Sequence, residues 1–377
     1  MSKYLKILLG LLVVVSLGLS ACATSAPAAA EPAAEEPAAE EPAAAEEAAP
    51  AEDPMAALIA AAQGEGKLVS YGLPDSWVNY GGMKTLLNDM YGIPTEDTDM
   101  GSGEIIAALE AEATAPVADI TDLGLNFAKI VEDEGLSQAY KNAYWDEIPD
   151  YAKDPDGRWS AAYWGAIAFL VNADAVTTVP TTWTDLLNDE YVGKVCMKDP
   201  RSSSTANMVV LGAAYGMGGD ETNVQPGLDF FQQMIEKGIL NGVKPSTAAI
   251  QKGECPVSLF WDFDGLSSKE ENPDMNLQVV IPSEGTVAGM YIQFVTAGAP
   301  HANAAKLMIE LEYSDEGQIA YANGFVHPVR TSVTLPDELL AKFPPEKDYE
   351  AATFPKDYVA LDSAGTAISD GWELIAQ

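Results

Sequence analysis

The chain has 377 residues, with 57 Asp plus Glu against 20 Lys plus Arg and a formal net charge of −37 at pH 7. A field of that sign repels phosphate backbones and anionic lipid headgroups, which excludes nucleic acid as a partner. The length exceeds what one typical hydrophobic core organises and predicts two lobes.

The N-terminus places Lys3 and Lys6 ahead of an apolar run from Ile7 to Leu19 and the sequence LSAC, Leu19 to Cys22. A basic region, a hydrophobic region and a small-residue cleavage point in that order mark an export signal, residues 1–22. The apolar run is about 13 residues, short of the roughly 20 that a spanning helix needs. LSAC resembles the lipobox of bacterial lipoproteins. That resemblance implies that Cys22 carries a lipid that holds the protein at the membrane; the alternative is an ordinary secretory signal that contains a Cys. Residues 23–54 repeat Ala, Glu and Pro with nine acidic and no basic residues. Such a composition buries too little apolar surface to order itself and reads as an extended, charged linker.

Beyond the linker, short apolar runs alternate with longer amphipathic ones, the pattern of sheets covered by helices. The strand KLVSYG at Lys67–Gly72 precedes a helix from about Gly82 to Met90, and TEDTDM at Thr95–Met100 leads through Gly101 and Ser102 into a helix from Glu104 to Ala113. A third strand, VADITDLG, follows at Val117–Gly124, and the apolar run YWGAIAFLVN at Tyr163–Asn172 leads to the second lobe. There the predicted elements are a strand at Gly193–Asp199, helices at Ser204–Tyr215 and Pro226–Lys237, and the strand CPVSLFWD, which ends in FWDFDG. LQVVIP and GMYIQFVTAG then return toward the first lobe, ahead of a helix at Asn303–Tyr313 and a C-terminal helix near Ala364–Ala376. The resulting expectation is a first lobe of 55–170 and 285–330 and a second of 171–284 and 331–377. Cys196 and Cys255 lie in strand-like runs of the second lobe; in an exported protein they form a disulfide, or they remain two buried thiols.

The spacings of common catalytic motifs are missing. There is no Gly-x-Ser-x-Gly and no Gly-x-x-x-x-Gly-Lys-Ser/Thr, and the only histidines, His301 and His327, both sit in loop-like sequence, which argues against a helical metal pair. No cofactor or metal is expected. Open α/β sheets bind ligands beyond the carboxyl ends of their strands, so the candidate residues are those that follow strands. In the first lobe these are Asp75, Ser76 and Trp77, then Ser102 and Gly103, then Asp122; each is alternatively a turn or cap residue. Tyr163, Trp164 and Tyr291 are aromatic candidates on the connecting strands, or else core. In the second lobe Arg201, Ser202, Ser203, Ser204 and Thr205 stand where a strand meets a helix, and free N–H groups at a helix start suit an anion. Trp261, Asp262 and Asp264 combine rings with carboxylates, a pocket for an amine through ion pairing and cation–π attraction. The alternative makes Asp264 a helix cap and Trp261 core.

The segment TTWTDLLNDEYVGKVCMKDPRSSSTAN, Thr181–Asn207, resembles the Trp-x-Asp-Leu-Leu, Tyr-x-Gly-Lys and Asp-Pro-Arg-Ser-Ser-x-Thr-Ala signature of the ferric-iron-type periplasmic binding proteins, the extracellular solute-binding components of ABC importers. AAKLMIELEYSDEGQ at Ala304–Gln318 and HPVR at His327–Arg330 are similar to the same family's later segments. The resemblance implies an α/β fold of two hinged lobes, the periplasmic-binding-protein type II fold, with a solute in the cleft. It also implies no catalysis, an ABC permease as partner, and a monomer. Ferric members hold iron with adjacent tyrosines after the strand that here reads CPVSLFWDFDG. This chain has no Tyr there, so a small polar or zwitterionic organic solute is expected, with ferric iron or another metal ion as the alternative and an exported hydrolase as the rival from another class.

Overall fold

Helix α1 (Pro54–Glu65) is started by Asp53, whose side chain accepts from the Met55 N–H, and ends at Gly66 with φ 83°, a backbone that glycine adopts freely. It leads into β1 (Leu68–Tyr71), α2 (Tyr80–Tyr91), β2 (Thr95–Thr98), α3 (Ser102–Ala111), β3 (Ile120–Gly124), α4 (Ala128–Asp133) and β4 (Ser137–Gln138). The strand β5 (Ser160–Asn172) follows, then β6 (Val195–Cys196), α5 (Ser204–Gly216), α6 (Gln225–Glu236), α7 (Thr247–Gln251), β7 (Val257–Trp261), α8 (Asp262–Glu271) and β8 (Leu277–Val280). The chain closes with β9 (Thr286–Thr296), α9 (Ala302–Tyr313), α10 (Asp315–Asn323), β10 (His327–Pro328), α11 (Asp337–Leu340), β11 (Ala352–Thr353) and α12 (Tyr358–Ile375). These elements come from a computed structural model that describes residues 53–376. The signal segment, Cys22 and the linker up to residue 52 lie outside the described residues.

Two long apolar strands organise the molecule. β9 is buried at every position and β5 at all but two, as expected of strands covered on both faces. The first sheet runs β2-β1-β3-β9-β5. Its outer pairs are parallel, while β3 and β5 meet β9 antiparallel. β5 changes partners along its length: up to Ala166 it pairs with β9, and from Ile167 it pairs with β7 and β8. Beyond β7 lies β6, parallel to it. One strand therefore serves both sheets, and the sheets are mixed because the connecting strands run against their neighbours.

Two features depart from the sequence expectations. CPVSLFWD was expected to rise into a loop at DFDG, but β7 stops at Trp261 and α8 begins at Asp262 with nothing between. Both acids fall in the first turn of that helix, where its dipole favours negative charge. The C-terminal helix was assigned to the second lobe alone. Instead α12 packs against α5 and α6 on one side and against α4 and the turn Leu125–Phe127 on the other, because Leu361, Ala364, Ile368 and Trp372 give it an apolar face to bury. Cys196 and Cys255 are disulfide-bonded, with Cα atoms 5.9 Å apart.

Candidate functional site

A cleft of about 1340 Å³ opens beyond the carboxyl ends of β1, β3 and β6. That exceeds the roughly 300–1,000 Å³ of a usual small-molecule pocket. Two helices point their N-termini into it. Gly101, Ser102 and Gly103 bring the start of α3, and Ser203, Ser204 and Thr205 bring the start of α5. The Ser203 hydroxyl accepts from the Ala206 N–H at 3.3 Å, a side-chain N-cap. The two helix starts are tied to one neighbourhood: the Ser102 hydroxyl accepts from the Gly124 N–H at 3.2 Å, and the Ser204 hydroxyl donates to Asn126 at 3.2 Å.

Three cations line the same wall: Lys198, Arg201 and Lys244. Arg201 is clamped by Asp199 at 2.6 Å and Glu373 at 3.2 Å, with 42% of its side chain exposed, so two acids offset its charge. Lys198 and Lys244 have no ion-pair partner among the described residues.

The floor is aromatic and acidic. Trp77, Asp122 and Tyr291 line it, and the Trp77 ring stands 5.3 Å from Tyr291 and 5.2 Å from Phe263. Asp122 accepts from Trp77 Nε1 at 3.1 Å, from the Tyr163 hydroxyl at 2.8 Å and from Gln293. Burial pushes its carboxyl up to about 7, against the pull of its donors Tyr163, Tyr80, Gln293 and Trp77. Tyr163 is itself fully buried and lies behind the floor.

The other predicted residues lie elsewhere. Asp75 and Ser76 are exposed, and Asp75 pairs with Lys84 at 2.6 Å. Trp164 stacks on His327 with centroids 4.1 Å apart. Trp261 is buried against β9, where a Cβ on Gly289 would come within 2.2 Å of its ring. Asp262 is 0% exposed; it accepts from the Ala166 N–H at 2.9 Å and the Tyr349 hydroxyl at 2.7 Å, with His327 Nε2 at 3.4 Å. It does not line the cleft. Asp264 is half-buried; burial raises its carboxyl to about 7, while the Lys198 ammonium lowers it. Asp262 and Asp264 stand two positions apart in the first turn of α8. On a helix, residues two apart do not share a face.

Sequence reasoning missed Lys198, Lys244 and Asn126. Lys198 was visible as the basic residue directly after the strand GKVCM. Lys244 sits in the irregular segment between α6 and α7 and carries no pattern that would have marked it.

An ABC transporter periplasmic-binding protein candidate of Sinorhizobium fredii is 26% identical over 251 residues, covering 65% of this chain and 68% of that one. A candidate 2-aminoethylphosphonate-binding periplasmic protein of Salmonella typhimurium is 25% identical over 257 residues, covering 66% and 73%. Among solved structures, the periplasmic binding protein AfuA of Actinobacillus pleuropneumoniae, with exogenous fructose-6-phosphate bound, superposes with a TM-score of 0.66 at 24% identity over 81% of this chain and 97% of that one. The sequence profile described as "Bacterial extracellular solute-binding protein" matches residues 115–354, and the chain belongs to that family.

Proposed function

We propose that this protein is the solute-binding component of an ABC importer, which closes its lobes on a small organic solute bearing an anionic group and delivers it to the permease. The observation that carries this reading is the anion-seeking wall: two helix N-termini and the unpaired Lys198 and Lys244 converge on one cleft of a chain whose net charge is −37. Helix starts and unpaired lysines favour oxyanions. The relative named for 2-aminoethylphosphonate and the structure holding fructose-6-phosphate both concern phosphorus oxyanions, in keeping with this choice.

The protein acts without catalysis in this reading: its two histidines are engaged by Asp119 and Asp262 rather than by a nucleophile. An organic solute is favoured over iron because the segment where ferric members carry tyrosines is here the first turn of α8, with Asp262 and Phe263 buried. A lipid on Cys22 and the acidic linker keep the monomeric protein outside the cytoplasmic membrane within reach of its permease.

Native mass spectrometry of the purified protein and calorimetry with ethylphosphonate test the reading. Saturable binding is expected, weakened about tenfold, or ~1.4 kcal/mol, by either Lys198→Ala or Lys244→Ala. Tight binding of an uncharged sugar with indifference to anions would refute it.

A further inference from the structure

Trp77 stands on the turn between β1 and α2 and is followed by two residues with positive φ, Val78 at 43° and Asn79 at 64°. Asparagine tolerates that region, but for a β-branched valine it is a strained backbone. Neighbours hold the turn in place. The Trp77 N–H donates to the Pro74 carbonyl at 3.0 Å, and the Trp77 carbonyl accepts from the Tyr80 N–H at 2.9 Å. The Asn79 amide donates to the Ala320 carbonyl of α10 at 2.7 Å, and Gly324 lies so close that a Cβ there would come within 2.3 Å of the Val78 carbonyl carbon. Strain that the surroundings over-determine in this way points to a function for the residue it aims. Here that residue is Trp77, whose side chain lines the cleft beside the strained pair.

What Trp77 offers there is carbon. Its Nε1 is shared between Asp122 at 3.1 Å and the Tyr163 hydroxyl at 3.0 Å, and Phe263 and Tyr291 pack against its ring at interplanar angles of 86° and 65°. The other polar groups of the floor are spent in the same way. Asp122 accepts from Trp77, Tyr163 and Gln293, and the Tyr291 hydroxyl accepts from the Nε1 of buried Trp261 at 3.3 Å. Met100 and Phe127 add carbon to the same cleft. The cleft is thus divided in its chemistry, with helix starts and lysines on one wall and a floor whose hydrogen bonds are already made. A hydroxyl-bearing body resting on that floor would lose water without gaining a partner, which is costly. A flat apolar body would gain burial and ring contact.

We infer that Trp77 is a specificity-determining residue that selects, among anionic solutes, those whose anionic group is carried on a flat aromatic body, and that Asn79 acts through it as a positioning residue. The inference rests on the proposed reading of the basic wall, which supplies the partner for the anionic half of the solute.

Calorimetry with phenyl phosphate, ethyl phosphate and glucose 6-phosphate, which share a headgroup, on the wild-type protein, Trp77→Leu and Asn79→Ala tests it. The wild type should bind phenyl phosphate about tenfold or more tighter than ethyl phosphate, and glucose 6-phosphate no tighter than ethyl phosphate. Trp77→Leu should bring phenyl and ethyl phosphate within about threefold of each other and keep the ethyl phosphate affinity within about threefold of the wild type. Asn79→Ala, which loses the Ala320 bond and fits a positive φ less readily, should shrink the same ratio with the ethyl phosphate affinity held; an unchanged ratio would overturn the positioning role. Equal losses of both esters on Trp77→Leu would make the ring a structural residue and overturn the inference. Equal wild-type affinities for phenyl and ethyl phosphate, or tightest binding of glucose 6-phosphate, would overturn it whatever the variants do, while the anionic reading survives. If none of these anions binds, the anionic reading falls, and phenol decides: saturable binding lost on Trp77→Leu supports the ring preference of the floor, and no binding overturns it.

Discussion

Asp122 lies within β3 and Asp262 opens α8; both are buried, and their partners separate their roles. Asp262 fixes the backbone of β5 through Ala166 and joins it to Tyr349 and His327. Asp262→Asn should therefore destabilise the fold by about 1–3 kcal/mol and leave solute affinity unchanged, as chemical denaturation and calorimetry would report; an affinity loss at full stability would return it to the cleft. Three acids whose carboxyls burial raises, Asp122, Asp264 and Glu312, also give stability a pH dependence. Burial raises Asp122 and Asp264 to about 7 and Glu312 to about 8. A folded pKa above the unfolded one means that the native state holds its proton more tightly, so this contribution is complete below the unfolded carboxyl range and is lost as pH rises from about 4 to about 8. Acids held low by donors, such as Asp185 and Glu190, act in the opposite sense and below that window. The ligand-free Tm should fall between pH 5 and pH 8, and Glu312→Gln should flatten the fall; a level profile would mean that the carboxyls ionise without cost. The sequence showed both Asp122 and Asp262 at strand ends. Which of them meets solvent depends on which face of the sheet each leaves, and that is a tertiary fact.

At the scale of elements, α5 and α9 were legible to within one or two residues, because a Ser cap or a short polar lead-in precedes a long apolar run. α8 was not. Its opening DFDG follows a β-prone aromatic strand and contains a glycine, so local preference pointed to a turn; packing of Phe263 and Leu266 in the core overrides it. Gly165 and Gly289 were unremarked, yet a Cβ on Gly165 would meet the Phe263 ring at 2.5 Å, so the approach of α8 to β5 depends on it. The Cys196–Cys255 bridge ties β6 to the segment just before β7, 59 residues on in sequence, at the base of the wall that carries Lys198. Reducing it, or replacing both cysteines by serine, should lower stability by about 2–4 kcal/mol and weaken binding of an anionic solute. Thermal unfolding with and without reductant checks the first effect; an unchanged Tm would mean that packing alone holds these strands.

For the whole molecule, net charge and site charge oppose one another. An anionic solute approaches a protein of net charge −37 before it meets Lys198 and Lys244. Screening shortens the range of the repulsion, to about 8 Å at physiological salt, so the association rate of ethylphosphonate should rise as ionic strength increases from about 0.01 M. Stopped-flow measurements would show it; a falling rate would mean that the local lysines govern the approach.

α12 adds a mechanical consequence. It is anchored to α5 through Asn207, whose amide donates to the Gly365 carbonyl at 2.9 Å, whereas Tyr358 reaches α4 through one hydrogen bond to Glu132 at 3.2 Å and lies 5.5 Å from the Trp159 ring. On the proposed reading, in which the lobes close on a solute, the seam at Tyr358 is expected to slip first when they part. The C-terminal helix is thus a natural gauge of occupancy, and a fluorescent label near Tyr358 would register uptake of the cargo without touching the chamber that holds it.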